Sequence, residues 1–133
     1  MSTTTTTKTR TITLTGRRPV KIRDDQWPLI AEATGDSGDD WTDGARHDEA
    51  YQRGELDRYG LRARRHADGR VLVYGILDGA TAWTQTRDHR GGELLEQPSD
   101  AEIAEAIQRV GTECGLPDSI IRDAISDLPA EEL

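Results

Sequence analysis

The run Val71-Leu72-Val73-Tyr74-Gly75-Ile76-Leu77 is bracketed by two Asp-Gly pairs, Asp68-Gly69 and Asp78-Gly79. No other feature constrains the fold as much. Asp-Gly supplies the left-handed conformations that tight hairpin turns need, while β-branched and aromatic residues favour a pleated, buried surface. Leu61 to His66 alternates before the first pair, and Ala80 to Arg87 follows the second. The expectation is a three-stranded antiparallel meander joined by two tight turns.

The flanks add to this core. Ile12 and Leu14 alternate with Thr, Gly16-Arg17-Arg18-Pro19 interrupts, and Val20-Lys21-Ile22 resumes the alternation, which predicts an N-terminal β segment, a hairpin or kinked strand. Asp24-Asp25 followed by Pro28 reads as a helix start, with Trp27, Ile30 and Ala31 inward and Thr34-Gly35 as its end. Further on, Ser99 and Glu102 form a capping box ahead of Ile103, Ala106, Ile107, Val110 and Cys114, one helical face closed by Gly115. Pro117-Asp118 opens a second helix with Ile121, Ala124, Ile125 and Leu128 inward, stopped by Pro129. Strands followed by helices imply an α+β fold. The expected form is a small antiparallel sheet, covered by two C-terminal helices and one short N-terminal helix. A disordered Thr-rich lead over residues 1–9 would precede a single domain over residues 10–133, a length that buries a core without staples.

Charge is segregated along the chain. Residues 1–23, 24–57, 58–92 and 93–133 carry +6, −9, +4 and −9, which together make the net −8. Such blocks shape the field a partner meets more than they shape the fold. Chemistry of other kinds has weak support. Cys114 is the single cysteine and lies on an apolar helix face near a C-terminus, where a thiolate is disfavoured. His47, His66 and His89 each neighbour a carboxylate, but none shows helical ligand spacing. The acids around residues 36–43 lack calcium-loop register, and no nucleophile elbow or phosphate loop is present. No metal, cofactor or catalytic group is expected. Neither a membrane span nor a signal peptide is visible, and the absence of disulfides suits a reducing cytoplasm.

Arg58, Arg62, Arg64, Arg65 and Arg70 could form a basic stripe, with Tyr59 and Tyr74 as stacking partners. The flanking acidic blocks would compete for these arginines and repel a phosphate backbone, so direct nucleic-acid binding is not expected. The acids point instead to a protein partner with a basic surface. The candidate contacts are Asp36, Asp39, Asp40, Trp41 and Asp43 in an acidic loop, and Glu102, Glu105, Glu113, Asp118 and Asp123 on the two helices. Carboxylates spaced along rigid helices can imitate backbone phosphates, and Trp27 and Trp41 offer aromatic anchors.

Short, acidic and without catalytic motifs, the chain has the character of accessory proteins of phages and plasmids. The expected function is therefore non-enzymatic. The chain would inhibit a nucleic-acid-handling complex, such as a restriction or CRISPR machine, by occupying its basic site. The alternatives are a structural or regulatory homo-oligomer, a homodimer for instance, in which basic strands meet acidic helices, and a small metal-dependent hydrolase.

Overall fold

A computed structural model describes residues 8–36, 57–81 and 84–129. In chain order the elements are β1 (Thr9–Ile12), β2 (Val20–Arg23), a 3-10 turn (Asp24–Gln26), β3 (Leu29–Asp36), β4 (Asp57–Arg65), β5 (Val71–Thr81), β6 (Thr84–Leu95), α1 (Asp100–Glu113) and α2 (Asp118–Ser126). The fold is α+β. β3 to β6 form a four-stranded antiparallel meander in sequence order, and β1 and β2 form a separate two-stranded sheet.

Strict alternation sorts the meander's side chains into two cores. Ala31, Ala33, Leu61, Ala63, Val71 and Val73 face the helices and pack with Ile103, Ala106, Ile107, Val110, Ile120, Ile121 and Ala124. Leu72 and Tyr74 face the other way, against Ile12, Leu14, Ile22 and Trp27. The molecule thus has three layers: hairpin, sheet, helices. The N-terminal β segment is a hairpin as expected, but it lies across the open face of the sheet instead of lengthening it.

The helical layer follows its local signals. Glu102 N–H donates to Ser99 Oγ at 3.2 Å and Ser99 N–H donates to Glu102 Oε1 at 3.1 Å, which completes the capping box. At the other end Gly115 has φ +74, and Leu116 N–H reaches Gly111 O while Gly115 N–H reaches Thr112 O. That is a Schellman closure, which turns the chain into α2. Close approach of the helices depends on glycine: a Cβ on Gly111 would stand 2.5 Å from Ile121 Cγ1.

Two expectations are corrected. The N-terminal helix shrinks to one 3-10 turn, because Leu29–Asp36 pairs with β4 as a strand and buries Ala31 and Ala33 with period two. Ile30 is the extra residue of a bulge between Leu29 and Ala31. Asp78-Gly79 is no turn: Asp78 pairs with Asp88 and Gly79 with Arg87, and the ladder runs on to Thr81 opposite Thr84. His89 consequently sits within β6, opposite Leu77. The first Asp-Gly pair does turn the chain, with Gly69 at φ +98. Of the Thr-rich lead, residues 1–7 lie outside the described residues, and Thr9 already pairs with Arg23.

Both sheet edges are engaged. At β6, Thr15 N–H donates to Gly92 O at 2.9 Å and Gly92 N–H donates to Thr15 Oγ1 at 3.3 Å. At β3, the backbone N–H of Glu32 donates to Asp127 Oδ2 at 2.8 Å. Contacts of this kind blunt an edge that would otherwise pair with another chain.

Candidate functional site

The periodicity that buries one face of each helix leaves the acids outside. Glu102, Glu105, Glu113, Asp118 and Asp123 are all exposed, as expected. Their duties differ. Glu102 is spent on the N-cap, and Glu113 accepts the Thr15 hydroxyl at 3.0 Å. Glu105, Asp118 and Asp123 accept no hydrogen bond and form no ion pair among the described residues. Arg109, one of two cations on these helices, is drawn down onto Glu93 of β6 by a two-point pair at 2.8 and 3.0 Å. Glu93 in turn raises the guanidinium's pKa and holds its proton more firmly. The outer face is thereby left more negative.

Asp36 closes β3 opposite Arg58. Asp39, Asp40, Trp41 and Asp43 lie outside the described residues, as does His47. The structure therefore places the helical half of the expected contact set and, of the acidic loop, Asp36 alone, which ends a strand.

Four members of the basic stripe, Arg62, Arg64, Arg65 and Arg70, are used internally. Arg62 and Arg64 share the hairpin-facing side, as alternation requires, and Arg65 points to the helices. Arg62 pairs with Glu32 at 2.6 Å, Arg65 meets Asp100 at 4.0 Å, and Arg70 meets Asp68 at 2.8 Å. Arg64 goes furthest, with a side chain only 6% exposed. Its Nε–H donates to Tyr74 Oη and its Nη1–H to the Trp27 carbonyl, both at 3.0 Å, while Asp24 Oδ1 stands 3.6 Å away. Arg10 holds Asp24 from the hairpin at 2.7 Å, and its hydrogen bond keeps the Asp24 carboxyl below the ordinary carboxylate range. Tyr74 is buried and so offers no stacking face. Trp27, 7% exposed, is likewise a core residue and not a surface anchor.

Positive charge free of such pairing sits on the hairpin instead. Arg17, Arg18 and Lys21 are exposed and have no ion pair among the described residues.

Charge also gathers where the 3-10 turn meets the β4–β5 turn. The His66 ring lies 5.0 Å from Trp27, and the Arg70 guanidinium carbon lies 5.2 Å from the same ring. Asp68 is held below its ordinary pKa, first by the Arg70 backbone N–H and then by the Arg70 side chain. Gln97, the one non-glycine with positive φ (37) among the described residues, donates to the Asp68 carbonyl at 2.6 Å. A cleft of about 590 Å³ opens beside this cluster, lined by Asp25, Gln26, Pro28, Ile30, Arg65 and His66 among others. Its charges are mixed, so it selects no ligand sign.

No group of three or more potential metal ligands occurs among the described residues. Cys114 is buried, and desolvation, aided by Glu113, pushes its thiol up to about 11, so it stays protonated near neutrality. No helix among the described residues is long and apolar enough to cross a membrane.

Sequence reasoning missed the buried Arg64 node and the hairpin layer above it. One signal was present: β5 is apolar at both parities, from Val71 through Tyr74, which is the mark of a strand covered on both faces. Comparison of the chain with protein families, with characterised proteins and with solved structures gives no match.

Proposed function

We propose that the protein is a non-catalytic binding protein whose α1–α2 face docks on a basic surface of another protein. That surface is one that otherwise holds nucleic acid. The observation that carries this reading is the division of labour among the charges. Residues 99–129 hold seven acids and two arginines. Glu105, Asp118 and Asp123 form no hydrogen bond or ion pair among the described residues, with Arg109 acting on Glu105 only through its charge, while Arg62, Arg64, Arg65 and Arg70 are paired inside the fold. Uncompensated carboxylates on a rigid, well-packed layer keep their alignment on binding, so little ordering is lost. They also steer a cationic partner toward the correct face.

The test begins with affinity capture from the native host, followed by affinity measurements on the purified partner at low and moderate salt. Wild type is compared with a triple reversal of Glu105→Lys, Asp118→Lys and Asp123→Lys. Glu102 is left alone, because its reversal would break the helix cap. The expected outcome is competition by nucleic acid and a loss of at least about tenfold in affinity on reversal, corresponding to about 1.4 kcal/mol. Unchanged affinity of the reversed variant overturns the reading.

A second reading has its own support, since the unpaired cations Arg17, Arg18 and Lys21 sit on the layer opposite the acidic helices. Copies could stack head to tail through these faces, a heterologous contact. Sedimentation at rising ionic strength separates the two: assembly that dissolves with salt favours stacking, and a monomer throughout removes it.

A further inference from the structure

The outer face of the hairpin combines hydroxyls and cations. Alternation turns Ile12, Val20 and Ile22 down onto the sheet and leaves Thr9, Thr11, Lys21 and Arg23 exposed on the outside. Thr9 stands opposite Arg23 and Thr11 opposite Lys21, so each outward rung pairs a hydroxyl with a cation. Arg17 and Arg18 carry the charge around the turn, where Gly16 has φ +69, and Lys8 extends it past the other end. We propose that this face binds the phosphate backbone of duplex nucleic acid without reading its sequence.

The cations are available. Residues 8–23 hold six of them and no acid. Lys8, Arg17, Arg18 and Lys21 form no ion pair among the described residues. Arg23 meets Asp25 at 3.3 Å, but both side chains are more than half exposed, and such a pair exchanges readily for a phosphate. Arg10 stays with Asp24 at 2.7 Å.

The chemistry of the face selects among polyanions. Protein partners are anchored by buried aromatic and apolar side chains, and membrane-surface segments by apolar insertion beside their cations. This face offers neither: residues 8–26 contain no aromatic, and Ile12, Leu14 and Ile22 are buried in the core beneath. Arginine, lysine and threonine are the side chains that donate to phosphate oxygens, the guanidinium by two bonds at once. Single strands gain much of their affinity from stacking on aromatic rings, so a face without rings favours the duplex. The rungs repeat every two residues, about 6.8 Å, against a phosphate about every 3.4 Å of axis on each strand, so each rung meets a phosphate of its own. The inner side of the ribbon is packed on the sheet, which keeps it on the backbone and out of a groove, where base edges are read. The acidic helices lie on the far side of the sheet, so this site does not rest on the function proposed above.

The experiment is anisotropy titration of a short labelled DNA duplex with the full chain alone, at rising salt. The expected Kd is below about 100 μM at about 50 mM salt, and four phosphate contacts give log K a slope of about −3.6 against log salt. The triple variant Arg17→Gln, Arg18→Gln, Lys21→Gln replaces exposed, unpaired side chains and should keep its melting temperature. Its affinity should fall at least about tenfold and its slope should flatten to about −1. Neutralising the helical acids (Glu105→Gln, Asp118→Asn, Asp123→Asn) shifts the net charge by as many units and should leave the slope unchanged, because the slope counts contacts. Polyglutamate and phosphatidylserine vesicles at equal charge should not displace the duplex, and the chain should sediment as a monomer. No binding at about 50 mM salt, an unchanged slope in the hairpin variant, tighter binding of the matching single strand, displacement by polyglutamate or vesicles, or self-association lost in the same variant each overturns the proposal.

Discussion

Replacing Arg64 by methionine isolates what a buried charge contributes to this fold. The guanidinium supplies the hydrogen bonds of the Tyr74 hydroxyl and the Trp27 carbonyl, both in the core beneath the hairpin. No buried side-chain polar atom among the described residues lacks a partner. Methionine keeps the apolar stem but strands two acceptors, each costing about 1–3 kcal/mol when buried and unsatisfied. Removing the desolvation cost of the charge returns part of this. The net loss should be about 3 kcal/mol, or roughly 10 °C in Tm for a chain of this size.

Urea denaturation measures it, with the m-value unchanged because the surface exposed on unfolding hardly alters. Tyr74→Phe should recover about 1 kcal/mol of coupling in a double-mutant cycle, since it removes one stranded acceptor. Arg62→Met is the internal control. It sits two residues away on the same strand face, and its partner Glu32 is 41% exposed, so its loss should stay within about 1 kcal/mol. Equal costs for the two substitutions, or an Arg64→Met loss under about 1 kcal/mol, would refute the argument that burial sets the value of the charge.

Asp24 should give the protein an acid-sensitive increment of stability. Its carboxyl is lowered first by the Arg10 hydrogen bond, so the increment is complete above the unfolded value near pH 4 and fades as pH falls through the folded value. Asp24→Asn should therefore be less stable than wild type at neutral pH and converge with it in acid, as followed by thermal melts. Gly111→Ala, which in an open helix would stabilise by about 1 kcal/mol, should instead destabilise by about 1 kcal/mol, since the new Cβ meets Ile121. Ile121→Ala, which removes the Cγ1 that the new Cβ meets, should lessen the added cost of Gly111→Ala in a denaturant double-mutant cycle. Cys114, with its thiol near 11, should release no thionitrobenzoate from Ellman's reagent at pH 8 while folded, and one equivalent once unfolded in urea.

What could be read in advance were the features decided within a few residues. The Ser99–Glu102 box, the Gly115 closure and the Asp68-Gly69 turn each depend on neighbours close in the chain, and each formed as expected. Leu29–Asp36 failed because its helix-start residues were stronger than two repeats of Ala-over-polar alternation. The strand is stabilised by Leu61 and Ala63 on β4, partners that local propensity does not see. Asp78-Gly79 failed in the same way, outweighed by a cross-strand ladder that extends to Thr81. Arg64 was indistinguishable from Arg62, Arg65 and Arg70 by type. Only the placement of the hairpin over the sheet singles it out, and that placement is a tertiary fact. The helical acids were legible because amphipathic periodicity fixes which side faces water. Which of them remain available was not, since Glu102 and Glu113 are committed by contacts that only the fold creates.

The layers change what the net charge means. Residues 8–23 of the hairpin carry six cations and no acid, Arg62, Arg64, Arg65 and Arg70 are paired within the fold, and the helices carry the surplus of acid. Two packed sheets are separated by about 10 Å, and a helix layer adds about 10 Å more. The outer faces are thus roughly 20 Å apart, against a Debye length of about 8 Å at physiological salt. Neither face screens the other across the molecule. A basic partner approaching α1 and α2 meets Glu105, Asp118 and Asp123 at close range and the hairpin cations only as a screened remainder. The same partner arriving at the hairpin is repelled. Segregation into layers therefore gives the encounter a direction, which a uniform charge of −8 spread over the same surface would not.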